Sequence, residues 1–159
     1  MPAGGLVVQV TLPTTSGASA TVDLTWDHPG VALAGAPTPG CLGDAVCWTR
    51  GIPEVGDSAF AITCANAHPS LGAVSVIGLG GLTTPFVYDS VDVWVDPGQP
   101  LGTLYFPSDP NGDLLHPLPI PAQPSFQGVT LHAQWLLLEP PGCTPEGLSG
   151  SNAIRVTIQ

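Results

Sequence analysis

The chain has 159 residues, a formal net charge of −10 and two fixed cations, Arg50 and Arg155, against twelve acids. A surface so poor in positive charge cannot neutralise a run of phosphates, which argues against DNA, RNA and anionic lipid as partners. No lysine is present, which removes Schiff-base chemistry, a P-loop lysine and lysine isopeptide cross-links.

The length fits one domain, residues 1–159. Twenty glycines and nineteen prolines read as turn punctuation, because 43% apolar content supplies material for a core. No apolar run reaches the roughly 18 residues of a spanning helix, so membrane insertion is not expected, and residues 1–12 lack the basic flank of a signal peptide.

In chain order, residues 5–12 alternate, with Leu6, Val8, Val10 and Leu12 on one side of a first strand. Val22, Leu24 and Trp26 alternate with Asp23, Thr25 and Asp27 in a second. Residues 1–28 thus form an N-terminal strand pair able to pack on its own body or on a neighbouring subunit. Residues 29–43 read as a Pro/Gly loop. Further strands are expected at 46–50, 59–65, 73–79, 84–88, 91–95, 102–106 and 113–118, each bounded by turn residues.

Two longer strands close the chain and should pair. Val129, Leu131, Ala133, Trp135 and Leu137 share one face of the first, and Ile154, Val156 and Ile158 one face of the second. No window carries a helical period of ten residues. The expected fold is all-β, a two-sheet β-sandwich of jelly-roll or immunoglobulin-like type with about nine to eleven short strands.

Cys41, Cys47, Cys64 and Cys143 lack the close pairs of a zinc site and read as a disulfide framework, which places the protein outside a reducing cytosol. Of three pairings, spacing favours Cys41 with Cys47 and Cys64 with Cys143.

Pro39-Gly40-Cys41, the strand Phe60 to Cys64, Val93-Trp94-Val95-Asp96-Pro97, Asp109 to Gly112, Leu118-Pro119-Ile120-Pro121 and the segment Gln127 to Ile158 carry a resemblance. Within that last segment the matching letters are Gln134-Trp135, Ser151-Asn152-Ala153 and Arg155-Val156-Thr157. Residues 39–159 resemble an uncharacterised C-terminal β-rich domain of secreted planctomycete-type bacterial proteins. The resemblance implies secretion and a β-rich architecture, and it carries no catalytic residue or cofactor. The chain departs from that pattern at Asp89-Ser90, where the family often has Gly-Cys.

Several residue groups could carry chemistry. Gly56-Asp57-Ser58 with Asp113-Leu114-Leu115-His116 resembles the serine and D-x-x-H blocks of SGNH-type esterases, with Ser58 as nucleophile and His116 as base, on a fold that needs a helix under the serine. Asp109, Asn111 and Asp113 place oxygen ligands at alternate positions, a spacing suited to Ca²⁺ and equally to an Asn-Gly hairpin turn. His28, His68, His116 and His132 have no local metal-ligand spacing.

Trp94, flanked on its strand face by Asp92 and Asp96, is the candidate platform for stacking a sugar ring. The leading expectation is an extracellular, non-catalytic structural or fibre-forming subunit whose partner is another copy of itself. A carbohydrate-binding module taking a polysaccharide is the alternative, and a small secreted serine esterase the second alternative. No cofactor is expected apart from the Ca²⁺ candidate.

Overall fold

The computed structural model describes residues 6–13, 19–26 and 28–159, the first two stretches by backbone alone. The fold is all-β, and its sheets are antiparallel. β1 (Leu6–Pro13) and β2 (Ser19–Trp26) pair in a two-stranded sheet. Eleven strands follow: β3 (Val31–Gly35), β4 (Val46–Arg50), β5 (Ala61–Ala65), β6 (Gly72–Gly78), β7 (Gly81–Tyr88), β8 (Val91–Val95), β9 (Pro100–Pro107), β10 (Leu114–Pro117), β11 (Thr130–Leu138), β12 (Leu148–Gly150) and β13 (Ala153–Thr157). A 3-10 turn, Pro124–Phe126, precedes β11.

The main sheet runs β3-β13-β11-β6-β9, with β12 also paired to β11, and a smaller sheet runs β10-β5-β4. The period-two alternation of β11 decides how they stack. Ala133, Trp135 and Leu137 point to the small sheet and share a buried cluster with Cys47, Trp48, Ile62, Cys64 and Leu114. Ile154 and Val156 of β13 and Ile158 just after it join them, with Val129 and Leu131 partly buried against the cluster, so the two closing strands pair and turn the expected faces inward.

Gln134 points to the opposite face of the main sheet, where the β7–β8 hairpin covers it. Val91, Val93 and Val95 are buried there, and a side chain at Gly150 or Gly78 would run into Val91 or Val95. The hairpin is held by an amide imitating a strand: Gln134 Oε1 accepts from the Trp94 N–H, while its Nε2 donates to the carbonyls of Asp92 and Ser151. Asp89 and Ser90, at φ 45° and 66°, make the two-residue turn joining β7 to β8, the backbone form a tight hairpin of this hand requires.

Two expectations are corrected. The segment 29–43 is not all loop, because Val31–Gly35 forms β3 and pairs with β13. Its small alanines hide the alternation of Val31 and Leu33. The cysteines are also paired differently: Cys41 is bonded to Cys143, and Cys47 and Cys64 are buried free thiols. Cys41 sits outside the core beside the Gly40–Gly43 bridge, whereas Cys47 points into the sandwich from β4, so the proposed Cys41–Cys47 pair faces two ways. Cys64 likewise faces the core, away from the 139–147 loop that carries Cys143.

Candidate functional site

β9 is an edge of the main sheet, and its sequence, PLGTLYFP, carries no charge. Leu101, Leu104 and Tyr105 are 55%, 54% and 60% exposed, unusual for large apolar groups on a strand with one unpaired side. Edge strands in stable monomers are normally blunted by lysine, internal proline or inward charge; here proline stands only at the two ends.

Beside β9 the sandwich is open. A hollow of about 260 Å³ lies between the β13, β11 and β6 ends of the main sheet and the segment 118–126, and it is lined entirely by apolar residues, including Leu79, Leu101, Leu118, Ile120, Phe126, Leu131 and Ile158. A second hollow of about 170 Å³ shares Leu101, Leu118 and Leu131 with it and extends past Leu104 to His116. The two adjoin: the larger crosses the strand ends from β13 to Leu101 of β9, and the smaller continues beside Leu104 of that edge strand. The Leu118-Pro119-Ile120-Pro121 wall is irregular backbone, anchored by Leu118 N–H to Phe60 O and Ile120 N–H to Asp57 O.

The β1–β2 register gathers apolar positions on one face. Leu6 lies opposite Trp26, Val8 opposite Leu24, Val10 opposite Val22 and Leu12 opposite Ala20, so these eight positions share one face. The other face takes Gln9 opposite Asp23 and Thr11 opposite Thr21. The side chains of Leu6, Val8, Val10 and Leu12 lie outside the described residues; the register alone places them.

The esterase residues are not assembled. Ser58 is exposed in the turn before β5, while His116 is buried with its Nδ1 2.9 Å from Ser75 Oγ, between Phe106 and Trp135. Burial pushes the His116 pKa down. Asp113 is exposed, and its backbone N–H donates to Asp109 Oδ1.

Asp109 is occupied by its own turn. Its Oδ1 accepts from the N–H groups of Asn111 and Asp113, each at 2.8 Å, and these bonds, that of Asp113 first, hold its carboxyl below the usual range. Asp109 and Asp113 also border a broad hollow of about 750 Å³ with Arg50, Thr63 and Ser108.

Trp94 is half-buried. Its indole lies against Gly35 of β3, and its Nε1 donates to Ala36 O at 2.9 Å. Of its neighbours, Asp96 accepts from Gly98 N–H and Gln99 Nε2, which lower its pKa in that order, and the Asp92 N–H is taken by Thr38 Oγ1.

The Cys41–Cys143 bond spans a Cα separation of 5.5 Å, with Glu139 Oε2 3.1 Å from Cys143 Sγ and Glu139 Oε1 accepting from Ser149 Oγ at 2.6 Å. Among the described residues, the one grouping of His, Cys, Asp and Glu close enough to share a metal ion is Cys41, Glu139 and Cys143, and its sulfurs are already joined. A disulfide of this kind belongs to an oxidising or extracellular setting. Among the described residues no helix is long and apolar enough to cross a membrane.

Sequence reading missed the groove because its lining comes from six separate segments; the one local signal was the Leu-Pro-Ile-Pro run. In comparisons with known proteins the chain matches no family model, no curated protein and no solved structure.

Proposed function

We propose that this chain is an extracellular, non-catalytic structural subunit that self-associates, each copy placing its β1–β2 hairpin along the β9 edge of the next. The observation that carries the reading is the uncharged, exposed edge strand β9 beside an apolar groove. A strand added there completes the sheet's hydrogen bonds and roofs the groove with apolar side chains. The hairpin offers such a face, and a two-stranded sheet by itself is marginal in water.

Chain reach selects a second copy as donor. The hairpin leads into β3, which forms the opposite edge of the main sheet from β9. Four strand steps of roughly 4.8 Å separate those edges, and one more is needed to lie beyond β9, about 24 Å in all. The five residue steps from Trp26 to Val31 span at most about 18 Å. Donor and acceptor on opposite edges make a head-to-tail contact that need not close, the geometry of a fibre. The resemblance of residues 39–159 to a secreted domain agrees with this setting.

Two full-length variants test the reading. Leu104→Glu places a charge on the acceptor edge at an exposed position, and the double variant Val8→Asp, Val10→Asp spoils the donor face. Each alone should be monomeric by size exclusion, where the parent forms polymers visible by electron microscopy. Mixed, they should give a one-to-one dimer, because one retains the donor and the other the acceptor. A parent chain that stays monomeric at all concentrations, or a mixture that stays monomeric, overturns the proposal.

A further inference from the structure

The backbone of β4 places Cys47 and Cys64 directly opposite one another. Which kind of opposition this is follows from Asn152. Its Oδ1 accepts from the Cys47 N–H at 2.8 Å, and its Nδ2 donates to the Cys47 carbonyl at 3.0 Å. Both polar groups of Cys47 therefore point away from β5, and Cys47–Cys64 is a non-hydrogen-bonded cross-strand pair. Such pairs bring Cα atoms to about 4.5 Å, inside the range of about 4.4–6.8 Å that a disulfide accepts. Both side chains point to the same face, into the core, where they are 0% and 2% exposed.

We infer that Cys47 and Cys64 form a second, cross-strand disulfide when the chain folds in the oxidising setting that the Cys41–Cys143 bond requires. The oxidant is a disulfide of the glutathione class. One cysteine thiolate attacks it and releases one thiol, leaving a mixed disulfide; the other cysteine thiolate then attacks the protein sulfur and releases the second thiol. The chain loses two electrons and two protons, and the oxidant leaves as two thiols. Burial sets the order of events, since the exchange must precede closure of the main sheet over β4 and β5. Once closed, the bond is shut away from reductant, whereas the Cys41–Cys143 bond keeps Cys41 at the surface. A buried link between neighbouring strands stiffens the small sheet, and the outer link ties loops 102 residues apart in sequence.

The test is refolding of the full chain in a buffer of oxidised and reduced glutathione, followed by alkylation in denaturant, intact mass and non-reducing peptide mapping. Cleavage after Asp and Glu is needed, because Asp44 separates Cys41 from Cys47 whereas both precede Arg50. The expected result is a chain with no alkylated cysteine, one peptide pair joining Cys47 to Cys64 and another joining Cys41 to Cys143. The variant Cys41→Ser, Cys143→Ser should still form the inner bond and escape alkylation at both remaining cysteines. Alkylation of Cys47 and Cys64 in a chain whose Cys41–Cys143 bond is intact, their alkylation in that variant, or pairing of either with Cys41 or Cys143, overturns the inference.

Discussion

His116 on β10 and Ser75 on β6 meet across the two sheets, the imidazole Nδ1 2.9 Å from the hydroxyl oxygen, with both side chains buried. The contact joins the layers at a point otherwise filled by Phe106 and Trp135. Burial of the imidazole should also make the sandwich sensitive to acid.

Burial lowers the His116 pKa below the value near 6.5 of the unfolded chain, and His132 moves the same way through burial and the nearby Arg155. Below pH 6.5 the unfolded chain therefore binds more protons than the native one. Stability is fully present above that pH and declines as the pH falls through the native values. Thermal or urea unfolding from pH 8 to pH 4 should show this decline, and His116→Gln should make it shallower. An identical pH profile in that variant would remove His116 from the account.

The Cys41–Cys143 bond closes a separation of 102 residues, which restricts the unfolded chain strongly. Replacing both by serine should lower stability by about 2–5 kcal/mol, read from urea unfolding. A loss under about 0.5 kcal/mol would show that the unfolded ensemble is already confined in some other way.

Gln134→Leu keeps the volume but removes the three hydrogen bonds of a buried amide, leaving the Trp94 N–H and the Asp92 and Ser151 carbonyls without that partner. The expected cost is about 2–4 kcal/mol, since orphaned buried groups cost more than the bonds gained. Amide exchange at Trp94 should quicken more than exchange in β4 or β5. Uniform acceleration across all sheets would mean that the β7–β8 hairpin is held by its valines alone.

The all-β fold was legible because strand alternation is local: Ala133, Trp135 and Leu137 announce a buried face within nine residues. β3 was not, because Ala32, Ala34 and Gly35 dilute its pattern and its pairing partner lies some 120 residues away. Disulfide connectivity was illegible for the same reason. Spacing measures the chain, while pairing depends on which way each Cys side chain leaves its strand, and Cys47 turns inward only because of its place on β4. The N-terminal alternation shows as the β1–β2 pair, whereas the edge position of β9 rests on a sheet order that no local pattern announces. His116 was singled out for its neighbours in sequence, and its partner proved to be Ser75, 41 residues away.

The carboxylate of Glu139, set 3.1 Å from Cys143 Sγ, bears on how the outer disulfide should react. Reductants of the thiol class attack as anions, and here they meet a fixed negative charge at the sulfur within a chain of net charge −10. A neutral phosphine meets no such repulsion. Although Cys41 is open to solvent, thiols should cleave the bond more slowly than a neutral phosphine does, and the difference should shrink as salt screens the carboxylate.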